Sequence, residues 1–402
     1  MVERDAPGPT ESCPRTSINH GVEPAAALEF HAIDYRSFRV WPPVVLAPMA
    51  GVTNAAFRRL CREYGAGLYV SEMISARGFI EEHRRTRHLS AFVDGEWPRS
   101  LQLYGTEEHS LSEATRRLVA ESAVDHIDLN FGCPVRKVTA QGGGAAIPLK
   151  PRRMASLVRA VVASSGAVPV SVKFRKGLDE AHLSYRSSGR VAVEEGCVAV
   201  GLHARTAAEL YSGEADWNAI ADLKECVPEI PVLGNGDIWE CWDALRMMRS
   251  TGCDGVIVGR GCLGRPWLFR ELTQVFSGEM PDPPPALGEV TQVLRRHARA
   301  LVDLFGPRQG ILELRKWCGW YLKGFAGTGP SRSSLMQLSS LDELDRELGR
   351  LDPETAFPIA ALRVKRGKRG QTQTVALPHG YLQDLDQKNG LEAEADVTVD
   401  GG

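Results

Sequence analysis

Residues 230–261 read IPVLGNGDIWECWDALRMMRSTGCDGVIVGRG. An apolar run from Ile230 to Ile238 carries the turn Gly234-Asn235-Gly236-Asp237. An amphipathic segment from Trp239 to Ser250 follows and stops at Gly252, and a second apolar run extends from Cys253 to Gly261. Two short apolar runs separated by a helical pattern form a strand-helix-strand unit of the kind that builds parallel sheets. Upstream, six more apolar runs appear: Val44 to Gly51, Gly67 to Met73, Arg99 to Gly105, His126 to Gly132, Val168 to Gly177 and Cys197 to Ala207. Helical patterns lie between them at Asn54 to Tyr64, Glu107 to Ser122, Pro151 to Ser164 and Trp217 to Val227. Asn54 and Asp216 are placed as N-caps and Gly65 as a stop. Eight strand-helix units in roughly 240 residues predict an α/β chain with a (β/α)8 TIM barrel over residues 37–280.

The pattern changes on both sides of the barrel. Residues 1–36 mix Pro, Ser, Thr and charges without periodicity and predict a flexible leader. The PDPPP run at Pro281 to Pro285 stiffens a linker over 281–287, because consecutive prolines favour extended backbone. Beyond it, Glu289 to Phe305, Ile311 to Phe325 and Leu341 to Leu351 read as helices without strands, so a small all-helical domain is expected over 288–352. Residues 353–402, with a basic run from Lys365 to Arg369 and an acidic end from Glu392 to Asp400, predict a disordered tail.

Composition narrows the class. With 43% hydrophobic and 24% charged residues in 402, the chain reads as a folded protein rather than a fibrous or disordered one. No apolar run reaches the length of a membrane span, and the start lacks the pattern of a signal peptide, which predicts a cytoplasmic protein without membrane association. Nine cysteines without a CxxC pair predict reduced thiols, with neither disulfides nor a metal site. A monomer is expected. The net charge of −2 gives no global sign of nucleic-acid binding. Between Gly288 and Arg332, however, Arg295, Arg296, Arg299, Arg308, Arg315, Lys316, Lys323 and Arg332 outnumber Glu289, Asp303 and Glu313. Such an excess fits an RNA-facing surface, and equally the solvated faces of ordinary helices.

In a barrel of this type, functional groups gather at the carboxyl ends of the strands. The seventh strand ends in Gly234-Asn235-Gly236-Asp237 and the eighth in Gly259-Arg260-Gly261, two turns whose amides can surround a phosphate while Arg260 supplies charge. Lys173 ends the fifth strand, where it could form a Schiff base or stabilise negative charge on a flavin ring. His203 and Gln102 end two further strands and can hydrogen-bond a heterocycle. Cys133, after Asp128-Leu129-Asn130-Phe131-Gly132 and before the glycine-rich Gly142-Gly143-Gly144, is placed where a lid could deliver an acid or nucleophile. A free thiol, with a pKa near 8.5, is mostly protonated at neutral pH and can donate.

On these motifs the sequence resembles the tRNA-dihydrouridine synthases, FMN-dependent enzymes that reduce uridines in tRNA with NADPH. The resemblance runs from about Leu46 to Leu268 through Leu46-Ala47-Pro48-Met49-Ala50-Gly51-Val52-Thr53, Asn130 to Pro134 with Gly144-Ala145, Val172-Lys173-Phe174-Arg175, and the two clamp turns. The central motif is most similar to the bacterial B-type branch. The resemblance implies that Pro48, Met49 and Ala50 line the flavin, and that Gln102, Lys173 and His203 bind its ring. It assigns the phosphate to Asn235, Gly236, Asp237, Gly259 and Arg260. It further implies that Asn130 and Arg175 meet the substrate, that Cys133 is the proton donor, that NADPH binds transiently, and that tRNA is held by the helical domain. Two rival readings stand beside it: a flavin-dependent dehydrogenase of free pyrimidines or dihydroorotate, and a non-catalytic RNA-binding barrel. A Schiff-base aldolase is a more distant third.

Overall fold

The computed structural model describes residues 19–385 apart from 20, 122, 368–370 and 384. A short antiparallel hairpin, β1 (Ile33–Asp34) and β2 (Arg39–Val40), precedes the barrel. The barrel strands are β3 (Val44–Leu46), β4 (Leu68–Ser75), β5 (Ser100–Tyr104) and β6 (His126–Phe131), followed by β7 (Val170–Arg175), β8 (Ala199–His203), β9 (Val232–Asn235) and β10 (Gly255–Val258). Each pairs in parallel with its neighbours, and β10 closes onto β3. All eight apolar runs therefore become barrel strands, since a strand covered on both faces is apolar almost continuously.

Around the barrel lie α1 (Ala55–Glu63), α2 (Ala76–Ile80), α3 (Arg84–Ser90), α4 (Glu108–Ala120), α5 (Arg136–Thr139), α6 (Pro151–Ser165) and α7 (Tyr185–Glu194). They are followed by α8 (Trp217–Cys226), α9 (Cys241–Thr251) and α10 (Leu268–Phe276). Asn54 caps α1 by accepting from the Phe57 N–H at 3.2 Å, which satisfies one of the open donors of the first turn. The sequence pattern does not reveal α7. Its buried face is Ser188, Gly189, Val191 and Ala192, small residues that bring it close to α8 but carry little apolar signal.

The expected loose leader is corrected for its described part. Tyr35 and Phe38 stack with ring centroids 5.1 Å apart, and Tyr35 meets His126 edge-on at 4.8 Å, so the hairpin plugs the amino end of the barrel. Burying two aromatic rings at an otherwise open barrel end is what orders this segment. Upstream of it, the Ala25 N–H donates to Val275 at 2.8 Å and Arg249 pairs with Glu29. Residues 1–18 lie outside the described residues.

After the proline linker come α11 (Leu287–Phe305), α12 (Pro307–Tyr321), α13 (Gly329–Leu335) and α14 (Leu341–Leu348). Phe57 of α1 packs on Trp317 of α12 at 4.5 Å, and Trp317 packs on His297 of α11 at 4.4 Å, so the helical unit and the barrel share one core. Part of the basic excess is consumed internally. Arg295 pairs with Asp345, Arg296 with Glu63, Arg315 donates to the Leu338 carbonyl, and Lys316 donates to the Gly51 carbonyl. Arg299 and Arg308 are exposed.

The expected disordered tail is likewise corrected for its described part. Arg363 pairs with Glu240 and Asp243, Arg265 donates to the Leu362 carbonyl, and Tyr381 is buried. Arginines that satisfy buried carbonyls and carboxylates order this segment without any periodic pattern. The acidic end lies outside the described residues. Among the described residues, no helix is long and apolar enough to cross a membrane, and no group of His, Cys, Asp and Glu is arranged to hold a metal.

Candidate active site

Strand register decides which side chains share a level of the barrel. Gln102 lies opposite Asp128, Asn130 opposite Lys173, Arg175 opposite His203, and His203 opposite Asn235. The expected residues of β5 to β9 are thereby gathered at one end, the carboxyl mouth. Pro48 lines the same small cavity as Lys173, with Asp128, Ser171, His126 and Tyr35 around it. Pro48 and Met49 are half-buried, whereas Ala50 is exposed.

A hydrogen-bonded chain runs from the barrel interior to the loop that carries Cys133. Ser171 donates to Asp128 at 2.6 Å, Gln102 donates to the other Asp128 oxygen at 2.7 Å, and Asn130 donates to the Gln102 carbonyl oxygen at 2.7 Å. The Asn130 side-chain oxygen accepts from the backbone N–H groups of Gly132 and Cys133, at 3.1 and 3.0 Å. Asn130 therefore shapes the turn that presents Cys133. Below, His126 Nε2 lies 3.0 Å from Ser171 and Nδ1 lies 2.7 Å from Ser100. With Ser171 giving its proton to Asp128, its oxygen accepts from Nε2–H, and Nδ1 accepts from Ser100. Burial holds His126 neutral, with its pKa pushed down to about 3, and burial also raises Asp128. Asp128→Ala would leave the Gln102 amide and the Ser171 hydroxyl buried without their acceptor. A loss of about 2–4 kcal/mol is expected from two such groups, read from the urea midpoint; unchanged stability would remove Asp128 from this role.

Lys173 sits in the mouth with its pKa lowered to about 8, chiefly by burial and then by the Arg175 charge. His203 is held well below its ordinary pKa by burial and by the cations Arg175, Lys173, Arg205 and Arg260, so it stands as a neutral imidazole. Arg175 is itself an organiser. Its Nε donates to Gly132 at 3.0 Å, and its Nη1 donates to Thr206 at 2.8 Å and Leu210 at 2.9 Å. It ties the Cys133 loop to the loop after β8.

The two clamp turns adjoin across β9 and β10, where the Asn235 amide donates to the Ile257 carbonyl at 2.8 Å. Gly236 has φ +141°, and a Cβ there would come within 2.5 Å of Ala215, so only glycine fits. Arg205, absent from the sequence reading, is fully buried beside it. Its Nη2 pairs with Asp237 at 2.7 Å, its Nε donates to Ser212, and its Nη1 has no hydrogen-bond partner among the described residues. Arg260 lies 3.6 Å from the other Asp237 oxygen. An unpartnered buried guanidinium nitrogen beside a glycine turn and a second arginine suits an anionic group such as a phosphate. The Asp237 carboxylate is engaged with Arg205, so its side chain organises the clamp. Tyr211 was also missed; its ring stands 4.6 Å from the Arg260 guanidinium and 5.6 Å from that of Arg175. The pattern aromatic-Ser-Gly after His203-Ala204-Arg205 is the one sequence signal that could have drawn attention to it.

Cys133 and Cys226 are half-buried, while the other six described cysteines are fully buried. Cys133 combines partial access with a place at the mouth.

Residues 45–357 match the family model described as Dihydrouridine synthase (Dus). The chain is 49% identical over 395 residues to a protein of Mycobacterium tuberculosis named "Probable tRNA-dihydrouridine synthase", covering 96% of this chain and 100% of that one. It is 47% identical over 386 residues to a protein of the same name from Mycobacterium leprae, covering 89% and 100%. It is 38% identical over 300 residues to "tRNA-dihydrouridine synthase B" of Pseudomonas aeruginosa, covering 74% and 89%.

Proposed function

The chain belongs to the dihydrouridine synthase family, and from that premise we propose that it reduces the C5=C6 bond of specific uridines in tRNA, using FMN reduced by NADPH. The observation that carries the reading is the convergence, at one barrel mouth, of an accessible Cys133, a cationic Lys173, a neutral His203 and an anion-ready clamp. Bound flavin would supply the reducing equivalents to one carbon of the C5=C6 bond.

The chain's own residues do the rest. Arg205, Arg260 and the turns at Gly236 and Gly259 would hold the FMN phosphate, and Lys173, His203 and Gln102 would face its ring. The Cys133 S–H would protonate the other carbon of the reduced bond, leaving a thiolate that regains its proton from solvent. Asn130 fixes the Cys133 backbone and so the direction of that proton. A uridine stacked in folded RNA cannot enter a barrel mouth, so the base must be extruded into it. Helices α11 to α14 would grip the tRNA body, with Arg299 and Arg308 exposed for phosphates. The protein would act as a cytoplasmic monomer without a metal.

The direct test incubates the purified protein with NADPH and tRNA that lacks dihydrouridine, followed by mass spectrometry of the nucleosides. Dihydrouridine in the tRNA is the expected result. A colourless protein without flavin, or one that reduces free uridine in preference to tRNA, would overturn the reading.

Lys173 links the site to pH. Its ammonium predominates at pH 7 and is lost as pH rises through about 8, so FMN affinity is expected to fall over pH 7 to 9. Lys173→Met should weaken FMN binding about 10- to 100-fold, the worth of a hydrogen bond to a charged group, and flatten that pH dependence. Fluorescence titration of apoprotein with FMN measures both, and a wild-type pH profile in the variant would exclude Lys173 as its source.

A further inference from the structure

The loop that carries Cys133 and the loop that follows His203 leave the barrel from β6 and β8, and a segment beyond the family-matched residues crosses both. The Gln373 side-chain amide donates to the Pro134 carbonyl at 2.9 Å and to the Ala207 carbonyl at 3.0 Å. Its backbone N–H donates to Ala208 at 2.8 Å. A carboxamide NH2 has two protons, and here each is committed to a different mouth loop. Further along, the Tyr381 hydroxyl lies 3.1 Å from the Ala146 carbonyl and 3.4 Å from that of Gly142, with the Lys150 ammonium 4.4 Å from its ring. Gly142 has φ +72°, and a Cβ there would come within 2.8 Å of the Tyr381 ring, so the two surfaces meet closely. Tyr381 joins Ala145, Ala146, Leu149 and Ala207 in a small apolar cluster.

Cys133 is thus held from both sides. Asn130 and Arg175 fix the backbone before it, and Gln373 fixes the carbonyl just after it. We infer that residues 371–383 form a strap across the mouth and that Gln373 is a positioning residue for Cys133, setting the Cys133 loop against the loop that follows His203. The inference rests on the reading of Cys133 as proton donor. In this chain the Cys133 loop is fixed before RNA arrives, rather than ordered by it. A displacement of about 1 Å in a reacting group can cost on the order of 100-fold in rate, so one shared amide is enough to matter.

The test uses full-length holoenzyme carrying Gln373→Met, which keeps the length and removes both donors, and separately Tyr381→Phe, which removes one hydroxyl. Two quantities are read: the rate at which iodoacetamide alkylates Cys133, by peptide mass mapping, and anaerobic reoxidation of the reduced flavin by tRNA. Gln373→Met is expected to hold FMN and accept electrons from NADPH as wild type does. It should alkylate at Cys133 several-fold faster and turn over tRNA about tenfold more slowly in kcat, with KM little changed. Tyr381→Phe should move both quantities the same way by less. Wild-type values of both in both variants would overturn the inference. So would faster alkylation with normal tRNA turnover, or lower thermal stability with unaltered Cys133 reactivity. Normal turnover by Cys133→Ala would overturn the reading of Cys133 itself, independently of the strap.

Discussion

Cys133→Ala is expected to bind FMN and to be reduced by NADPH at near wild-type rates, yet to reduce tRNA about 100- to 10,000-fold more slowly, the usual cost of losing a positioned general acid. The separation is expected because the clamp is built from Arg205, Arg260 and the turns after β9 and β10, and Lys173 and His203 stand on strands other than the one that leads to Cys133. Its backbone N–H and carbonyl, which bond Asn130 and Ala145, survive the substitution. The loop should therefore keep its shape while losing one sulfur. Anaerobic stopped-flow would follow flavin reduction by NADPH and then reoxidation by tRNA, with dihydrouridine measured in parallel. Turnover near wild type would place the proton elsewhere and remove the central assignment.

The barrel is legible in the sequence because strands buried on both faces must be continuously apolar and the helices between them must end at glycines or polar caps. The site is legible at strand ends, where Lys173, His203 and Gln102 sit at apolar runs that ought not to hold polar groups. What escapes has a common physical cause. Tyr35, Arg205, Arg363 and Gln373 each order a segment through contacts to a carbonyl, a carboxylate or a ring remote in sequence. Such contacts leave no periodicity to read, so the hairpin and the strap look like loose ends until the chain is folded. The basic helices fail in the opposite way, since their excess of charge is visible but its internal use by Glu63 and Asp345 is not.

Arg205→Met is expected to abolish FMN retention and also to destabilise the apoprotein by about 1–3 kcal/mol, because the Ser212 and Gly213 carbonyls lose their donor and Asp237 keeps Arg260 but loses its closer cation. The side chain of Arg205 is fully buried and that of Asp237 is 17% exposed, so little water is available to replace the lost guanidinium. The two effects separate in the double variant Arg205→Met/Asp237→Asn. Removing both charges relieves the weakened Asp237 carboxylate, and part of the lost stability should return. FMN binding should not return, because the unpartnered Nη1 that the phosphate would use is still missing. Thermal unfolding of the apoproteins and fluorescence titration with FMN measure the two quantities separately. If the double variant regains wild-type FMN affinity, Arg205 serves the loop alone, and Arg260 with the backbone amides of the two turns must hold the phosphate unaided.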